Sequence, residues 1–282
     1  MIQNKMNKYN IGIIGKGFVG SAVAGGFSAS SGFEANIRIF DVNPKKSLNS
    51  LKETVTKSDF LFVSVPTPAN DNGSIDLSYL DKCLNDISVI KGSSSPIILV
   101  RSTVVPGSTS KFQKKYKNLK IVFNPEFLTE RNALFDFLSQ QRFVLGGSLE
   151  HTTEVEGLMK ARFGNTISII KTDFETAELI KYMCNTFFAT KISFLNEMFL
   201  VAKACNADWD VAREGFVRDG RVGTSHTNVP GHDGKVGFGG HCFPKDIQAM
   251  IAFCKELDIH PNTLEGAWKT NLEVRPEKDW LK

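Results

Sequence analysis

Residues 10–20 read NIGIIGKGFVG, an apolar run that leads directly into glycines with the spacing Gly-x-Gly-x-x-Gly. The apolar run predicts a buried strand, and the residues from Phe18 onward predict a helix. In this setting Gly15 permits a tight turn, Gly17 lets the backbone approach a pyrophosphate, and Gly20 allows close helix packing. The helix N-terminus supplies amide donors to phosphates. The stretch therefore predicts a dinucleotide site at the start of an α/β domain.

The identity of the dinucleotide follows from the end of the next apolar run. Asp41 lies about 20 residues beyond the glycines, where a carboxylate accepts hydrogen bonds from adenosine ribose hydroxyls and repels a 2′-phosphate. We therefore expect NAD rather than NADP, with Lys45 and Lys46 as the only residues that point the other way. By this motif the predicted cofactor contacts are Gly15, Gly17, Phe18, Val19, Gly20 and Asp41.

Short apolar runs alternate with helix-length segments through the first part of the chain. The runs are residues 9–15, 36–41, 60–66, 96–102, 120–125 and 142–147. Strands separated in this way need crossover connections, which predict a doubly wound, Rossmann-type parallel sheet with helices on both faces. Pro- and Gly-rich loops follow several runs, at 65–68, 71–73 and 105–107. They are expected at the carboxyl edge of the sheet, where ligands bind.

From Thr172 the pattern changes to one long helical segment, residues 172–205. Thr172 and Glu175 have the spacing of a capping box, and the apolar residues that follow have helical spacing. Such a helix would span roughly 45–50 Å, longer than a compact domain of this size requires. We predict that it connects a domain at 1–172 to a helical central domain at 173–282 and forms a homodimer interface over 173–205. The alternative is a helix buried wholly within its own chain.

The composition excludes several classes of protein. With 282 residues, 41% of them hydrophobic, the chain can bury a sizeable core. The 34 basic and 30 acidic residues are dispersed, so no nucleic-acid partner is expected. No apolar run approaches the ~18 residues of a membrane span, and the polar residues 1–10 do not resemble a secretory signal. Five cysteines without a CxxC pair fit a reducing cytoplasm.

The sharpest motif covers residues 237–246, GFGGHCFPKD. Cys242 lies between a Gly-rich loop and a predicted helix whose first turn carries Pro244, a residue favoured there. A thiol at a helix N-terminus has a lowered pKa and a larger thiolate fraction, so Cys242 is the predicted nucleophile. The remaining cysteines are expected to be inert small side chains: Cys83, Cys184, Cys205 and Cys254. The histidines of the loop lack the helical pairing of a metal motif, and no metal is expected: His226, His232 and His241.

This motif resembles the signature of the UDP-glucose/GDP-mannose dehydrogenase family, Gly-Phe-Gly-Gly-x-Cys-x-x-Lys-Asp. The resemblance extends over essentially the whole chain and includes the segments 15–20, 65–68, 101–103, 124–130 and 178–186. It implies an NAD-dependent enzyme of polysaccharide biosynthesis that oxidises the C6 alcohol of a nucleotide sugar to a carboxylate, with UDP-glucose as the leading substrate.

The resemblance also implies a covalent mechanism. Cys242 attacks the C6 aldehyde formed in a first oxidation, a second oxidation converts the thiohemiacetal to a thioester, and water releases the acid. Lys181 and Asn185 lie four residues apart and share one helix face, where they would stabilise the C6 oxyanion. Glu130 and Asp246 would handle protons and the hydrolytic water.

The same resemblance assigns further contacts. Thr103 would position a water or the nicotinamide region, and Lys46, Thr67 and Glu130 would contact the cofactor. Arg221 corresponds to an arginine that reaches the substrate diphosphate across a dimer interface. The predicted substrate contacts are Glu126, Phe127, Leu128, Lys181, Asn185, Arg221, Phe238 and Gly239.

Several alternatives remain open. Family members commonly carry a further α/β domain that holds much of the nucleotide base, and this sequence stops at Lys282, as either a naturally short form or a truncated one. Without that domain, the uridine contacts would have to come from the long loop or from a partner chain. The motifs do not separate UDP-glucose from GDP-mannose or a UDP-N-acetylhexosamine. A two-electron β-hydroxyacid dehydrogenase needs no thiol, and a non-catalytic NAD-binding dimer needs no substrate.

Overall fold

A computed structural model of the chain describes residues 9–90 and 95–281. The polar start, residues 1–8, and the final Lys282 lie outside the described residues. Strands of the described ranges form one sheet in the order β2-β1-β3-β4-β5-β6-β7. They are β1 Asn10–Ile14, β2 Asn36–Phe40, β3 Phe60–Val63, β4 Ile97–Val100, β5 Lys120–Phe123, β6 Arg142–Gly146 and β7 Ser168–Thr172.

Helices connect the strands and make up the rest of the regular structure in the described ranges. They are α1 Phe18–Gly26, α2 Leu51–Thr56, α3 Ser78–Ser88, α4 Ser108–Lys115, α5 Ala133–Leu138, α6 Leu149–Phe163, α7 Phe174–Ala204, α8 Trp209–Val217, α9 Phe243–Glu256 and α10 Asn262–Val274. Short 3₁₀ helices occur at Ala29–Ser31, Glu130–Asn132 and Asp279–Leu281. Among the helices described, none is both long and apolar enough to span a bilayer.

The chain folds into two compact units. The first comprises Met1–Thr67 and Asp76–Lys181 and contains the sheet. The second comprises Pro68–Ile75 and Tyr182–Lys282 and is helical. Nothing in the sequence pattern had indicated that the loop Pro68–Ile75 belongs to the second unit, where Gly73 packs against the backbone of Gln248 in α9.

The predicted fold class is confirmed, with two differences in the sheet. Strand β6 pairs antiparallel with β5 through Phe123 and Gly146, whereas all other neighbours are parallel. An apolar run that is buried on both faces reads the same in either direction, so its orientation cannot be predicted from the run itself. Strand β7 was not predicted, because it is an edge strand whose residues are mostly exposed and interrupted by polar side chains.

Both faces of the sheet are covered by apolar side chains. Alternate residues of β3 point to opposite sides, with Phe60 and Phe62 in one core cluster and Leu61 and Val63 in the other. The first cluster contains a group of phenylalanines in which the Phe143 and Phe163 ring centroids lie 4.9 Å apart. Burial on two faces explains why β3 and β4 are entirely apolar.

Helix α7 is continuous over 31 residues, which corresponds to about 46 Å at 1.5 Å per residue. The capping-box prediction for its start was wrong by one residue. Asp173 caps the helix by accepting the Thr176 amide at 2.7 Å, because Thr172 is the last residue of β7 and pairs there. The hydrogen bond from Thr176 holds the pKa of Asp173 below its usual value.

The second unit has its own core, which lies between α7, α9 and α10. Its buried members are Ala189, Phe238, Ile247, Ile251 and Ala267. Polar residues of α7 are also buried in this unit and bond to it, with the Ser193 hydroxyl donating to the Ala267 carbonyl at 2.7 Å. Asn196 accepts the Gly237 amide at 3.0 Å.

Alanine substitutions at Gly17 and Gly20, which follow β1, test how closely α1 packs. Replacing Gly20 by alanine would place the new methyl carbon 2.0 Å from the Gly15 carbonyl oxygen. We expect Gly20→Ala to lower the free energy of unfolding by roughly 3 kcal/mol, because the backbone must shift to relieve the overlap. Urea unfolding measures this change. Gly17→Ala is the matched control, since no atom lies within 4 Å of the added carbon. Equal stability of the two variants would contradict the close-packing role.

Candidate active site

The glycine loop has the geometry of a diphosphate cradle. Gly15 has a φ of +89° and donates its amide to the Phe40 carbonyl at 3.0 Å, and a side chain there would collide with Ser64. Gly17 is exposed with open space above it, and no side chain caps the N-terminus of α1. The first-turn amides of α1 are therefore available to an anion, so the residues present fit a dinucleotide.

Asp41 follows β2 and fastens the glycine loop to it. Its carboxylate accepts the Lys16 amide at 2.6 Å and the Asn43 amide at 2.8 Å. Each carboxylate oxygen has a second lone pair that could accept a ribose hydroxyl. Phe18 and Val19, also predicted at this site, pack their side chains against the first core cluster.

Loops at the ends of β3 and β4 are joined by hydrogen bonds. The Thr67 hydroxyl donates to the Thr103 carbonyl at 2.9 Å, and the Ser102 hydroxyl donates to the Val65 carbonyl at 2.6 Å. Two of the predicted cofactor residues, Thr67 and Thr103, are thus in direct contact at the carboxyl edge of the sheet. Lys46 is exposed.

Lys181 and Glu126 form a buried ion pair in the first unit. The Lys181 ammonium lies 2.9 Å from Glu126 Oε1 and 2.5 Å from the Glu126 carbonyl oxygen, and both side chains are almost fully buried. Glu126 Oε2 accepts the Leu128 amide at 2.7 Å, and the ammonium lies 5.4 Å from the centre of the Phe127 ring. The predicted catalytic lysine therefore contacts the predicted sugar-binding segment.

A second buried cation lies near Glu126. Arg101, just beyond β4, donates from Nη1 to the Asn124 side-chain oxygen at 2.5 Å, and Asn124 donates to the Val144 carbonyl. Burial lowers the pKa of Arg101 to about 10, against the opposing effect of Glu126, and the guanidinium remains charged at neutral pH. The segment 101–103 is part of the family resemblance, but no role was predicted for Arg101 itself, although a charge that directly follows an apolar strand is a signal for one.

Glu178 anchors α7 one turn before Lys181. Its carboxylate accepts the amides of Gly107 at 2.6 Å and Thr109 at 2.7 Å, at the start of α4. Burial raises the pKa of Glu178 to about 7, although the amide donors oppose the shift. Glu178 begins the segment 178–186 of the family resemblance, but its anchoring role was not predicted; the signal for it is a carboxylate three positions before Lys181, on the same face of the helix.

In the second unit, Cys242 directly precedes α9 as predicted, and its side chain is half-buried. Pro244 lies in the first turn. Asp246 is buried in the same turn, where its Oδ2 accepts the Asn185 amide group at 2.5 Å and its Oδ1 pairs with Lys245 at 2.5 Å. The structure thus pairs two predicted catalytic residues, Asn185 and Asp246, and adds Lys245, which the motif contained without an assigned role.

The long loop before Cys242 is held by α7. Lys191 donates to the carbonyls of Val222, Gly223 and Ser225 at 3.3, 3.0 and 2.8 Å. His226, with a φ of +60°, stacks on Phe188 with ring centroids 4.4 Å apart. A loop rich in glycine is thereby ordered on one side by a cation and on the other by an aromatic stack.

Phe238 and Gly239, two predicted substrate contacts, lie within this loop. The Phe238 side chain is buried in the core of the second unit, and both of its backbone groups bond to Asn271, at 2.7 and 3.0 Å. Gly239 is half-buried. Their contact with a substrate stays a prediction.

Two further predicted site residues, Glu130 and Arg221, are on the surface. Glu130 begins a 3₁₀ helix and is exposed. The Arg221 side chain is 89% exposed and pairs with Asp219 at 2.5 Å. These two side chains can reach a ligand only from the solvent side of the units that carry them.

The cysteines differ in their surroundings. Burial raises the pKa of Cys83 to about 12 and also raises the pKa of Cys254, so both remain thiols at neutral pH. Cys205 is exposed near the end of α7. Cys242 differs from these in its position before a helix N-terminus. Within residues 9–90 and 95–281, His, Cys, Asp and Glu form no cluster of three that could hold a metal ion.

The doubly wound sheet with its glycine cradle defines a dinucleotide-binding α/β unit, and a separate helical unit carries a cysteine before a helix. Residues 46–162 match the NAD binding domain of the UDP-glucose/GDP-mannose dehydrogenase family, and residues 175–273 match its central domain. The chain belongs to this family and is NAD-dependent. The match to the NAD binding domain begins at residue 46, after the glycine motif at 15–20. The motif is therefore evidence for dinucleotide binding that does not depend on this match.

Individual relatives agree with this assignment. A UDP-glucose 6-dehydrogenase of Rickettsia bellii is 34% identical over 78% of this chain and 51% of its own length. A UDP-glucose 6-dehydrogenase of Haloferax volcanii is 30% identical over 95% of this chain and 70% of its own length. A solved UDP-glucose dehydrogenase from Pyrobaculum islandicum superposes with a TM-score of 0.84 at 26% identity, covering 97% of this chain and 70% of that one. The chain spans about half the length of the Rickettsia relative.

The Lys181–Glu126 pair leads to a prediction about stability. We expect Lys181→Met and Glu126→Gln each to lower the free energy of unfolding by about 3–5 kcal/mol, because either change leaves a buried charge without its partner. The double variant should lose clearly less than the sum of the single losses. Denaturant unfolding of the four proteins measures the coupling. Additive losses would mean that the two groups do not interact.

Proposed function

We propose that this chain carries the chemistry of a nucleotide-sugar 6-dehydrogenase that converts UDP-glucose to UDP-glucuronate in a four-electron oxidation. The observation that carries the proposal is Cys242, held before α9 with the buried Asp246 one turn further on and Asn185 bonded to it. A thiol before a helix N-terminus is a suitable nucleophile. The relatives from Rickettsia and Haloferax are UDP-glucose 6-dehydrogenases, which supports the choice of substrate.

The cofactor would be held by the glycine loop, Asp41 and the joined loops that carry Thr67 and Thr103. When bound, NAD supplies a hydride acceptor for the sugar C6. Thr103 would position a water or the nicotinamide region. Glu130, which is exposed, would contact the cofactor from the solvent side.

The covalent steps belong to Cys242. Its sulfur adds to the C6 aldehyde, forming a C–S bond and an oxyanion that is protonated to a thiohemiacetal. After the second two-electron oxidation the product is a thioester, in which the carbonyl carbon remains bonded to sulfur. Water then attacks this carbon, the C–S bond breaks, and the thiol and the carboxylate are released.

Charge and proton handling fall to side chains that the fold has already oriented. The Lys181 ammonium, which already bonds Glu126, would donate a further hydrogen bond to the C6 oxyanion. The Asn185 side-chain amide, which bonds Asp246, would donate to the same oxyanion. Asp246 has one oxygen on Asn185 and the other on Lys245, so its orientation is set before a substrate arrives. It is the proposed acceptor for the proton of the hydrolytic water.

The alternative substrates are GDP-mannose and a UDP-N-acetylhexosamine, since the family includes GDP-mannose dehydrogenases. Purified protein should be assayed for NADH formation with all three. Two NADH per acid formed separates this chemistry from a two-electron β-hydroxyacid dehydrogenase. If none of the three substrates yields NADH, the result favours a non-catalytic NAD-binding protein. The presence of Lys181, Asn185, Cys242 and Asp246 together argues for a catalytic one.

Replacing the nucleophile gives the direct test. We expect Cys242→Ser to lower acid formation by roughly 10³-fold, because the thioester route is lost. Mass spectrometry of wild-type protein with NAD and UDP-glucose should detect a glucuronyl adduct on Cys242. Cys254→Ser, on the same helix, is the control and should keep activity within about twofold. Normal acid production by Cys242→Ser would exclude the covalent mechanism.

We also propose a homodimer formed through α7. The exposed apolar side chains of this helix in the second unit include Met183, Phe187, Phe194, Met198 and Val201, each between 37% and 63% exposed. Their spacing puts them along one helix face. An apolar stripe of this length is unusual on a monomer and suits an isologous contact with a second copy.

Disrupting this stripe should change the oligomeric state. We expect the wild type to have twice the chain mass of 31.2 kDa by light scattering at micromolar concentration. The double variant Phe187→Glu/Phe194→Glu should be a monomer, because buried carboxylates would lack partners in the interface. Val89→Glu, at an exposed apolar residue of the first unit, should remain a dimer. A monomeric wild type would refute the proposal.

A further inference from the structure

An ion cluster outside the residues assigned above surrounds Arg275, directly after α10. This side chain is only 2% exposed, and its guanidinium bonds Asp279 through Nε at 3.1 Å and through Nη2 at 2.6 Å. Nη2 also bonds Asp233 at 2.6 Å, and Nη1 donates to the Val236 carbonyl at 3.3 Å. The sequence reads here only as a charged tail, and no motif drew attention to it.

The segment 237–239, in the loop before Cys242, packs directly on this cluster. A methyl group added to Gly239 would lie 2.5 Å from Arg275 Nη2 and 2.7 Å from Asp279 Oδ1. One added to Gly237, which has a φ of +69°, would lie 2.6 Å from the Asn271 side-chain oxygen. A side chain at Gly239 would displace the Arg275 guanidinium, and the left-handed backbone of Gly237 favours glycine there.

Backbone hydrogen bonds complete the attachment of the loop. Asn271 of α10 bonds both backbone groups of Phe238, and Asn196 of α7 accepts the Gly237 amide. Arg275 holds the adjoining residues on the other side through Asp233 and Val236. A loop of glycines would otherwise have large conformational freedom, so these contacts determine its path to Cys242.

We propose that Arg275, together with Asp233 and Asp279, is a positioning group for Cys242. It fixes the loop at Gly237–Gly239 and thereby sets where the thiol stands at the start of α9. Arg275 does not contact the reacting atoms; it acts through the loop backbone. The proposal deepens the proposed function and rests on it for the consequence in catalysis.

The charges of the cluster suit a permanent attachment rather than a switch. The hydrogen bond from Arg275 holds the pKa of Asp279 well below its usual range. Burial, the largest single effect, opposes the ionisation of Asp233, but the hydrogen bonds from Arg275 and the Lys235 amide, with the Arg275 charge, together outweigh it and lower that pKa as well. Both carboxylates are therefore ionised across the neutral range, and the guanidinium presents a fork that lysine cannot reproduce.

The test perturbs this contact from its two sides, with Arg275→Lys and Gly239→Ala. Arg275→Lys keeps the charge and loses the forked geometry, and Gly239→Ala pushes the loop off the guanidinium. We expect each to lower kcat with UDP-glucose by roughly 10- to 100-fold. KM should change far less in Arg275→Lys; Gly239→Ala is not used for the KM comparison, because Gly239 is itself a predicted substrate contact. The affinity for NAD, measured by calorimetry, should stay within twofold, since the first unit is untouched.

A readout independent of turnover is the alkylation rate of Cys242 by iodoacetamide, followed by peptide mass mapping, with the exposed Cys205 as internal reference. A loosened loop should raise the Cys242 rate severalfold and leave the Cys205 rate unchanged. Lys235→Met is the matched control, because Lys235 bonds the same Asp279 at 3.0 Å from the surface and its loss should leave both readouts unchanged.

The outcomes separate the two proposals. If the wild type oxidises no nucleotide sugar but Cys242 alkylation responds as expected, the proposed function fails and the positioning role stands. If Arg275→Lys and Gly239→Ala are less stable while the alkylation rate of Cys242 is unchanged, Arg275 has only a structural role and the positioning proposal is wrong.

Discussion

Every polar side chain buried along α7 must find a partner, because an unsatisfied buried polar group costs several times what its hydrogen bond contributes. Within the first unit, Glu178 satisfies two amides at the start of α4 and Lys181 pairs with Glu126. Within the second, Asn185 bonds Asp246 and Asn196 bonds Gly237. The partners required by buried polar residues of this one helix thus orient three of the proposed catalytic groups, Lys181, Asn185 and Asp246.

The electrostatics of the first unit follow from the same burial. Two cations, Arg101 and Lys181, lie near the one carboxylate of Glu126, so the cluster has an excess of positive charge in a poorly solvated place. A buried excess of positive charge raises the free energy of the folded protein. A negatively charged oxyanion near these cations would lower it. Under the proposed function, this arrangement would stabilise the C6 oxyanion more than it stabilises the fold.

In the second unit, Cys242, the proposed nucleophile, follows a glycine-rich loop, so its position depends on how that loop is held. Glycines permit the turns and the close approach to α10, but they also free the backbone. Core packing of Phe238, the paired bonds of Asn271 and the ion cluster of Arg275 remove that freedom. Rigidity at Cys242 therefore depends on residues some thirty positions further along the chain.

By itself the sequence determined the dinucleotide loop at Gly15–Gly20, the long helix α7 and the position of Cys242 before α9. These depend on local rules, because the spacing of glycines, the period of apolar residues and the proline of a first turn act within a few residues. Only the tertiary structure decided that Lys181 pairs with Glu126 and Asn185 with Asp246. The same is true of the antiparallel pairing of β6 with β5 and of the contact between Arg275 and the loop before Cys242. Those pairings join segments far apart in the chain, and they are selected by the packing of whole elements rather than by any pattern within one of them.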